Sequence, residues 1–307
     1  MSKKYRIIIS VALAVAVLAV AVIIINPFKT TPVNELKEDE SFKPKKVAAL
    51  SGSLAEIWTL AGGEITATTQ DTFDERKINL SGSVVNVGSL KEPNAELLIS
   101  NQIDYAILTP TISGQVALGK TLEQAGIKVD FFEIETFSDY LLALKTFTDI
   151  TKNTEAYETY GLSLQSKIDK IIEGCAPKAD PTVLLIRAFS TGAKAKNSQN
   201  NMTGAMLADL GCVNIADSDN GLLEDLSIEK IIIQDPDFIF VTTMGADDAA
   251  LATLAEGLQK NPAWNSLKAV KNGHYIVLPK ELFHYKPNKD WDKSYKMLAE
   301  ILYGYEE

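Results

Sequence analysis

The sequence predicts an α/β protein with two Rossmann-like lobes, each built on a mainly parallel sheet. Two segments, residues 96–109 and 229–242, share one pattern: a glutamate, an apolar half-helix, an aspartate and an aromatic–apolar run ending in threonine. A short apolar run that begins at an Asp turn is typical of a buried strand. Two such helix-to-strand units indicate two similar lobes, and a cleft between lobes is a common place for a ligand.

The first lobe is predicted over residues 46–136. Its predicted strands are 46–50, 66–68, 84–87, 104–109 and 128–134. Helices are predicted at 54–61, from 93 onward and at 113–125. Ser53 and Glu56 have the spacing of a capping box, which marks the start of the first helix. Regular alternation of strands and helices implies a mainly parallel sheet.

Residues 137–174 are predicted to link the lobes. A helical pattern runs through them and is broken only near Asn153, where we expect Thr154 to cap a second helix over residues 155–173. Such a helix extends about 28 Å, the width of a small domain. A single long backbone helix of this kind would restrict hinge opening between the lobes.

The second lobe is predicted over residues 175–307 and repeats the alternation. Its predicted strands are 182–187, 213–215, 238–242 and 274–278. Its predicted helices are 203–210, 228–234, 246–258 and 290–303. This lobe should therefore carry a mainly parallel sheet of its own.

The amino terminus has a different composition. Residues 7–25 carry no charge and follow a basic start, and a helix of this length matches a bilayer core of about 30 Å. We therefore expect residues 1–29 to form a transmembrane anchor, with a cleaved secretory signal as the alternative. Residues 30–45 are a polar tether. The basic flank stays inside, which places the rest on the extracytoplasmic face of the membrane.

Charge and motifs exclude several functions. The net charge of −10 argues against a nucleic-acid partner, which needs a basic face. The two histidines, His274 and His284, are too few for a zinc or manganese site, so no bare-metal site is predicted. Neither a Gly-x-Ser-x-Gly motif nor a phosphate loop is present, and no catalytic residue is predicted.

Cys175 and Cys212 are the only cysteines. Each lies shortly before a predicted strand, and if those strands are neighbours the two thiols share one edge of a sheet. Outside the cytosol such a pair is a candidate disulfide. Two buried thiols are the alternative.

Five stretches resemble, in the same order, the substrate-binding proteins of ABC importers for iron–siderophores, haem and cobalamin. They are KVAALSGSLAEIWTLAGG, VGSLKEPNAELLISNQIDYAIL, LEQAGIKVDFFEI, LSIEKIIIQDPDFIFV and NPAWNSLKAVKNGHYIVLP. The resemblance covers residues 46–303. It implies two lobes on a helical backbone and a monomer without an intrinsic cofactor, which captures a small-molecule metal complex for an ABC permease and its ATPase. A siderophore-type iron complex is expected; a cobalamin or haem receptor, or a ligand-sensing membrane ectodomain, is the alternative.

The resemblance also implies that one glutamate on each lobe docks into the permease. The matching positions are Glu96 and Glu229, which open the two repeated segments. A helix that feeds directly into a strand begins near the carboxyl end of that strand, so both glutamates should flank the mouth of the cleft. The alternative is a carboxylate that only complements a helix dipole.

The cleft candidates end a predicted strand or lie in the following loop, because ligands bind outside the carboxyl ends of parallel strands. In the first lobe they are Ser51, Ser53, Thr72, Phe73, Lys91, Glu92, Thr109 and Thr111. In the second lobe they are Arg187, Phe189, Lys194, Asn200, Thr242, Met244, His284 and Tyr285.

Two of these candidates carry particular chemistry. Arg187 ends an apolar strand, and a guanidinium suits carboxylate, phosphate or catecholate oxygens; an ion pair with an Asp or Glu across the lobe is the alternative. His284, together with Met244, Tyr285 and Tyr295, offers atoms of the kind that ligate haem iron. A solvated or hydrogen-bonded histidine is the alternative for His284.

Overall fold

The computed structural model describes residues 42–76, 78–175, 180–224 and 226–306. Residues 43–307 form one compact unit. Within the described ranges no helix is both long and apolar enough to cross a bilayer. The predicted anchor at residues 7–25, its alternative as a signal and most of the tether lie outside the described residues.

The first sheet has five strands, all paired in parallel, as predicted. They are β1 (Val47–Ala49), β2 (Ala67–Thr68), β3 (Val85–Asn86), β4 (Tyr105–Leu108) and β5 (Lys128–Phe131). The spatial order is β3-β2-β1-β4-β5. The helices of this first lobe are α1 (Gly52–Leu60), α2 (Gln70–Glu75), α3 (Ala95–Ser100) and α4 (Ser113–Gln124).

The predicted capping box at α1 is wrong. The residue that caps the helix is Ser51, whose side chain accepts a hydrogen bond from the backbone amide of Leu54. Because Ser51 already satisfies the helix start, Ser53 and Glu56 have other partners. Both contact Asn288 in the loop before the last helix of the chain, and Glu56 also accepts a hydrogen bond from Arg76.

The linking segment forms two helices, as predicted. The first, α5 (Phe137–Thr151), begins at a capping box of Thr136 and Asp139. The second runs without interruption from α6 (Thr154–Tyr157) through a π-helical turn into α7 (Ser163–Cys175). Its cap is Asn153 rather than the predicted Thr154, because the Asn153 side chain accepts a hydrogen bond from Ala156 at 3.1 Å.

The second sheet has five strands: β6 (Thr182–Phe189), β7 (Gly192–Lys196), β8 (Val213–Asn214), β9 (Phe238–Met244) and β10 (Tyr275–Val277). The order is β10-β9-β6-β7, and β8 pairs with the start of β6. All pairings are parallel except that of β6 with β7, which is an antiparallel hairpin. The sequence did not predict β7.

Seven helices are described in the second lobe. They are α8 (Met202–Asp209), α9 (Asn220–Glu224), α10 (Ile228–Gln234), α11 (Asp247–Leu254), α12 (Lys268–Lys271), α13 (Lys280–Phe283) and α14 (Trp291–Tyr303). The predicted helix over 246–258 is α11 and a π-helical turn that continues it. The short helices α9, α12 and α13 were not predicted.

The two aspartates of the repeated pattern make the same kind of contact. Asp104 accepts hydrogen bonds from the backbone amides of Lys45 and Lys46 at 2.8 and 3.1 Å. Asp237 accepts bonds from the backbone amide and the hydroxyl of Thr182 at 3.0 and 2.7 Å. Asp104 therefore connects the start of β1 to the start of β4, and Asp237 connects the start of β6 to the start of β9. This shared contact explains why the aspartate recurs in the two repeated segments.

The core consists of two outer clusters and one central cluster. The outer clusters each cover one face of one sheet. The central cluster is shared: it contains Ala49 of β1, Phe147 of α5, Leu185 of β6 and Trp291 of α14, all fully buried. Because both sheets pack against the same central residues, relative motion of the lobes would disrupt a close-packed interior.

Candidate functional site

The carboxyl end of the second sheet gathers most of the candidates predicted in that lobe. Arg187 on β6 lies opposite Lys194 on β7 and beside Thr242 on β9. One step further along, Phe189 lies beside Met244. Leu185, two residues before Arg187 on β6, belongs to the central cluster. Alternate residues of a strand share a face, so Arg187 and Phe189 continue this face beyond the core.

Arg187 is a half-buried cation that forms no salt bridge with any residue that the structure describes. Burial lowers the pKa of its guanidinium, and the carboxylate of Glu135 partly offsets this shift. The Arg187 Nε is buried and has no hydrogen-bond partner among the described residues. The alternative of a direct ion pair is not what the structure shows, because Glu135 forms its salt bridge with Lys286 instead. A buried N–H without a partner favours an incoming oxygen atom.

Four lysines accompany this arginine, and we call Arg187, Lys194, Lys196, Lys280 and Lys286 the cationic cluster. Lys194 and Lys196 share a strand face with Arg187, because Arg187 and Lys194 are cross-strand partners. Burial lowers the pKa of Lys196, and the charges of Arg187 and Lys194 lower it further. Burial also lowers the pKa of Lys286, against the opposing effect of Glu135. Lys280 reaches the carboxyl end of the same sheet, where it donates a hydrogen bond to the carbonyl of Gly245, directly after β9.

His284 lies within the influence of the same cations. Burial, followed by the charges of Arg187, Lys280 and Lys286, lowers its pKa to about 4. Its imidazole is therefore neutral at neutral pH, and its buried Nδ1 has no hydrogen-bond partner in the described part of the chain. The ring of Tyr285 lies 5.4 Å away.

Two of the lysines are already engaged. Lys280 forms a salt bridge with Asp247 at 2.6 Å and donates a hydrogen bond to the carbonyl of Gly245. Lys286 forms a salt bridge with Glu135 at 2.9 Å. The described residues give no such ion pair to Lys194, Lys196 or Arg187, so these three are the cations that a ligand would meet unpaired.

A cavity of about 420 Å³ is lined by residues of both lobes and of the segment between them. The lining residues are Thr111, Glu133, Glu135, Thr136, Asp139, Gln199 and Asn200. Thr111 and Asn200 are predicted cleft candidates. Glu135 belongs to this cavity and also contacts Lys286, so the cavity borders the cationic cluster.

The candidates of the first lobe are more scattered. Ser51 caps α1, and Thr72 is buried against the hydroxyl of Thr68 at 2.6 Å. Thr109 contacts Thr111 at 2.9 Å between the two hydroxyl oxygens. Phe73, with 42% of its surface exposed, and the exposed Lys91 make no hydrogen bond or ion pair to the cationic cluster among the described residues. Phe73 and Lys91 stay predictions as cleft residues.

The loop before α14 connects the two lobes through side chains. Asn288 is fully buried and donates to Glu56 Oε2 at 2.8 Å and to the carbonyl of Ser53 at 3.2 Å. Arg76 donates one hydrogen bond to Glu56 and one to the carbonyl of Lys286, both at 2.9 Å. Lys286 also reaches Glu135. The loop that carries His284 and Lys286 is thus bound to the first lobe at two places.

The two predicted docking glutamates occupy equivalent positions. Glu96 is exposed in the first turn of α3, after the cap Asn94, and Glu229 is exposed in the first turn of α10, after the cap Ser227. The Ser227 hydroxyl donates to Glu229 at 2.7 Å and lowers the pKa of that carboxyl. Docking by these residues stays a prediction.

Cys175 ends α7 and Cys212 lies just before β8. Both side chains are buried thiols in the structure. Burial raises the pKa of Cys212 to about 12, and the nearby Cys175 contributes in the same direction. The disulfide between Cys175 and Cys212 stays a prediction.

Sequence reasoning missed the roles of several charged and polar residues at the site: Lys196, Lys280, Lys286, Glu135, Glu56, Arg76 and Asn288. Three of them lie in or beside one predicted loop, in the stretch LPKELFHYKPN. The lysines on both sides of His284 in the sequence, Lys280 and Lys286, could have indicated a cationic site there. His274, predicted as the first residue of the last strand, lies directly before β10, and its ring stacks on that of Phe238 with 4.2 Å between the ring centroids.

Comparison with known proteins places the chain in a family. A family model described as periplasmic binding protein matches residues 47–282. The Fe(3+)-citrate-binding protein YfmC of Bacillus subtilis (strain 168) is 25% identical over 244 residues, which cover 78% of this chain and 74% of that protein.

Solved structures share the fold at lower identity. An ABC transporter substrate-binding protein from Listeria monocytogenes EGD-e matches with a TM-score of 0.71 and 19% identity, over 86% of this chain and 100% of that one. IsdE of S. aureus, solved in complex with heme, matches with a TM-score of 0.67 and 18% identity, over 84% of this chain and 98% of that one. The family indicated by the sequence resemblance is confirmed: this chain belongs to the periplasmic binding protein family.

Proposed function

We propose that this protein is the extracytoplasmic substrate-binding component of an ABC importer, and that it captures a negatively charged ferric chelate between its lobes. Family membership supports the role in import, and the curated relative named for Fe(3+)-citrate supports an iron complex. A siderophore or citrate complex that presents carboxylate groups is the ligand class that best fits the residues at the site.

The cationic cluster is the observation that carries this proposal. The chain has a net charge of −10, yet Arg187 and Lys194 lie opposite each other near the carboxyl end of the second sheet, and the charges of Arg187, Lys280 and Lys286 all act on His284. A local positive field within an acidic protein steers an anionic ligand to that place. Arg187 offers a planar pair of N–H groups that suits a carboxylate, and burial strengthens each such bond.

Apolar and aromatic side chains beside the cationic cluster would contribute the remaining affinity for the ligand. Phe189 and Met244 lie side by side at the end of the sheet, and Met244 has 44% of its surface exposed. Tyr285 adds an aromatic ring beside His284. Apolar surface of this kind gains free energy by contact with the carbon skeleton of a chelate, at about 25 cal/mol per Å² buried.

Delivery to the permease is the second part of the proposal. Glu96 and Glu229 would bind basic pockets on the permease, one from each lobe, while residues 7–25 hold the protein at the membrane. The exposed first-turn position of both glutamates supports this assignment. With both lobes gripped, the permease and its ATPase would move the lobes apart and release the ligand.

Haem is the competing ligand, because the imidazole of the half-buried His284 is neutral and its buried Nδ1 has no partner among the described residues. Such an imidazole has the electronic state that iron ligation requires. The cationic surroundings also suit the propionate groups of haem. Haem therefore becomes the alternative outcome of the following experiment.

The experiment is a tryptophan-fluorescence titration of the purified protein with ferric citrate, haem and cobalamin. We expect saturable quenching by ferric citrate that Arg187→Met weakens and Lys120→Met, an exposed control on α4, leaves unchanged. Saturable haem binding with a Soret shift that His284→Ala removes would instead assign haem. Saturation by cobalamin alone, or by no member of the panel, would contradict a ferric ligand.

A further inference from the structure

We propose that Glu56, Arg76 and Asn288 are positioning residues: they hold the loop that carries His284 and Lys286 against the first lobe and so set ligand affinity without contacting the ligand. This inference rests on the proposed function, because it concerns the same cleft. The three side chains form what we call the inter-lobe junction.

Asn288 is the centre of the junction. It is fully buried, donates to Glu56 and to the carbonyl of Ser53, and lies 3.2 Å from the Ser53 hydroxyl through its own Oδ1. Every polar group of this side chain therefore binds the first lobe, although the residue belongs to the second. A buried amide with all its bonds satisfied fixes the geometry of both partners.

Glu56 and Arg76 form a buried ion pair. Their closest nitrogen and oxygen are 2.9 Å apart, and their side chains are only 11% and 9% exposed. Burial lowers the pKa of Arg76, and Glu56 opposes that shift. Buried ion pairs contribute little net stability, because desolvation offsets the attraction between the charges. The helix cap is Ser51, so Glu56 is not required there either.

The junction acts on the ligand-facing loop directly. Arg76 binds the carbonyl of Lys286, and the backbones of Lys286 and Asn288 have φ values of 65° and 50°. Left-handed backbone is unfavourable for a lysine, so neighbouring contacts must hold it. With its backbone held by Arg76 and its amine near Glu135, Lys286 has a defined position beside Arg187. Loss of the junction would release that position.

The test is a double-mutant cycle read by ferric citrate affinity. Asn288→Gly removes the amide but accepts the left-handed backbone, and Lys152→Gly, at φ 63° in the turn after α5, is the matched control. We expect Asn288→Gly and Lys286→Ala each to weaken binding about tenfold, and the double variant to be little weaker than Lys286→Ala alone. Lys152→Gly should bind as the wild type does.

Additive losses, about a hundredfold in the double variant, would overturn the proposal, because they would mean that Asn288 acts independently of Lys286. Unchanged affinity in Asn288→Gly would overturn it as well. Glu56→Gln, which keeps the side-chain shape, replaces Asn288→Gly in the cycle if that variant does not fold.

A ligand-independent readout separates this inference from the proposed function. If wild-type protein does not bind ferric citrate, the proposed function fails, and hydrogen exchange of the amides at residues 284–286 tests the junction alone. We expect at least about tenfold faster exchange there in Asn288→Gly and no change in Lys152→Gly. Equal exchange in all three proteins would overturn the proposal.

Discussion

Arg187 and Lys194 lie directly opposite each other on neighbouring antiparallel strands. Like charges at such positions repel each other and destabilise a sheet. The Arg187 Nε adds a buried donor without a hydrogen-bond partner among the described residues. An arrangement that costs folding free energy is typical of a functional site, where the missing partner arrives with the ligand.

Replacing Arg187 should therefore separate stability from function. Arg187→Met keeps much of the side-chain volume and removes the charge and the unsatisfied donor, so we expect the free energy of unfolding to rise by about 1 kcal/mol. Affinity for ferric citrate should fall by about tenfold to a hundredfold. Urea unfolding and fluorescence titration measure the two effects. A variant that loses stability and keeps its affinity would show that Arg187 has a structural role.

The lowered pKa of His284 predicts how stability changes with pH. The folded protein holds the pKa near 4, below the ordinary value of about 6.5, so between these values the unfolded chain binds a proton that the folded chain does not. The free energy of unfolding should therefore decrease as the pH falls from about 6.5 to about 4. This contribution levels off at lower pH. His284→Gln should remove it, as urea unfolding at several pH values in this window can show. Identical pH profiles for the two proteins would contradict the prediction.

Charge reversal of the docking glutamates should uncouple transport from binding. We expect Glu96→Lys with Glu229→Lys to abolish uptake of labelled iron from ferric citrate, because both contacts with the permease become repulsive. Ligand affinity should not change, since both side chains are exposed and lie outside the cationic cluster. Glu123→Lys, an exposed change on α4, is the control and should transport normally. Wild-type uptake by the double variant would rule out this mode of docking.

The shared central cluster predicts small motion of the lobes. Both sheets and the linking helices pack against the same buried residues, and the inter-lobe junction adds buried hydrogen bonds. We therefore expect the radius of gyration from X-ray scattering to change by less than about 1 Å between free and ligand-saturated protein, far from a wide hinge closure. A large decrease on binding would show that the lobes close like a hinge.

The sequence predicted the architecture because the fold rests on local patterns. The Asp turns at Asp104 and Asp237 and the apolar runs after them mark buried strands in both sheets. The strand β7 was missed because Gly192–Lys196 contains glycine, alanine and two lysines, which favour strand only weakly. The residues of β7 form a strand because they pair with β6 in an antiparallel hairpin. Backbone pairing with β6 therefore outweighs their weak intrinsic preference for strand.

The site was only partly predictable. Arg187 was identifiable as a charge at the end of an apolar strand. The other cations belong to a hairpin, to the short helix α13 and to the loop after it, whose positions depend on long-range contacts such as that between Arg76 and the Lys286 carbonyl. Likewise, Ser53 and Glu56 have the spacing of a capping box, yet their partner Asn288 is more than two hundred residues away. Spacing along the chain does not reveal such contacts.

A crystal structure of the protein saturated with ferric citrate tests the ligand assignment most directly. We predict a carboxylate of the chelate within about 3 Å of the Arg187 guanidinium, with Lys194 or Lys196 contacting the same anion. The chelate should lie between the lobes and touch Phe189 or Met244. A chelate bound elsewhere, or one bound in the cleft with Arg187 left unpaired, would contradict the role of the cationic cluster.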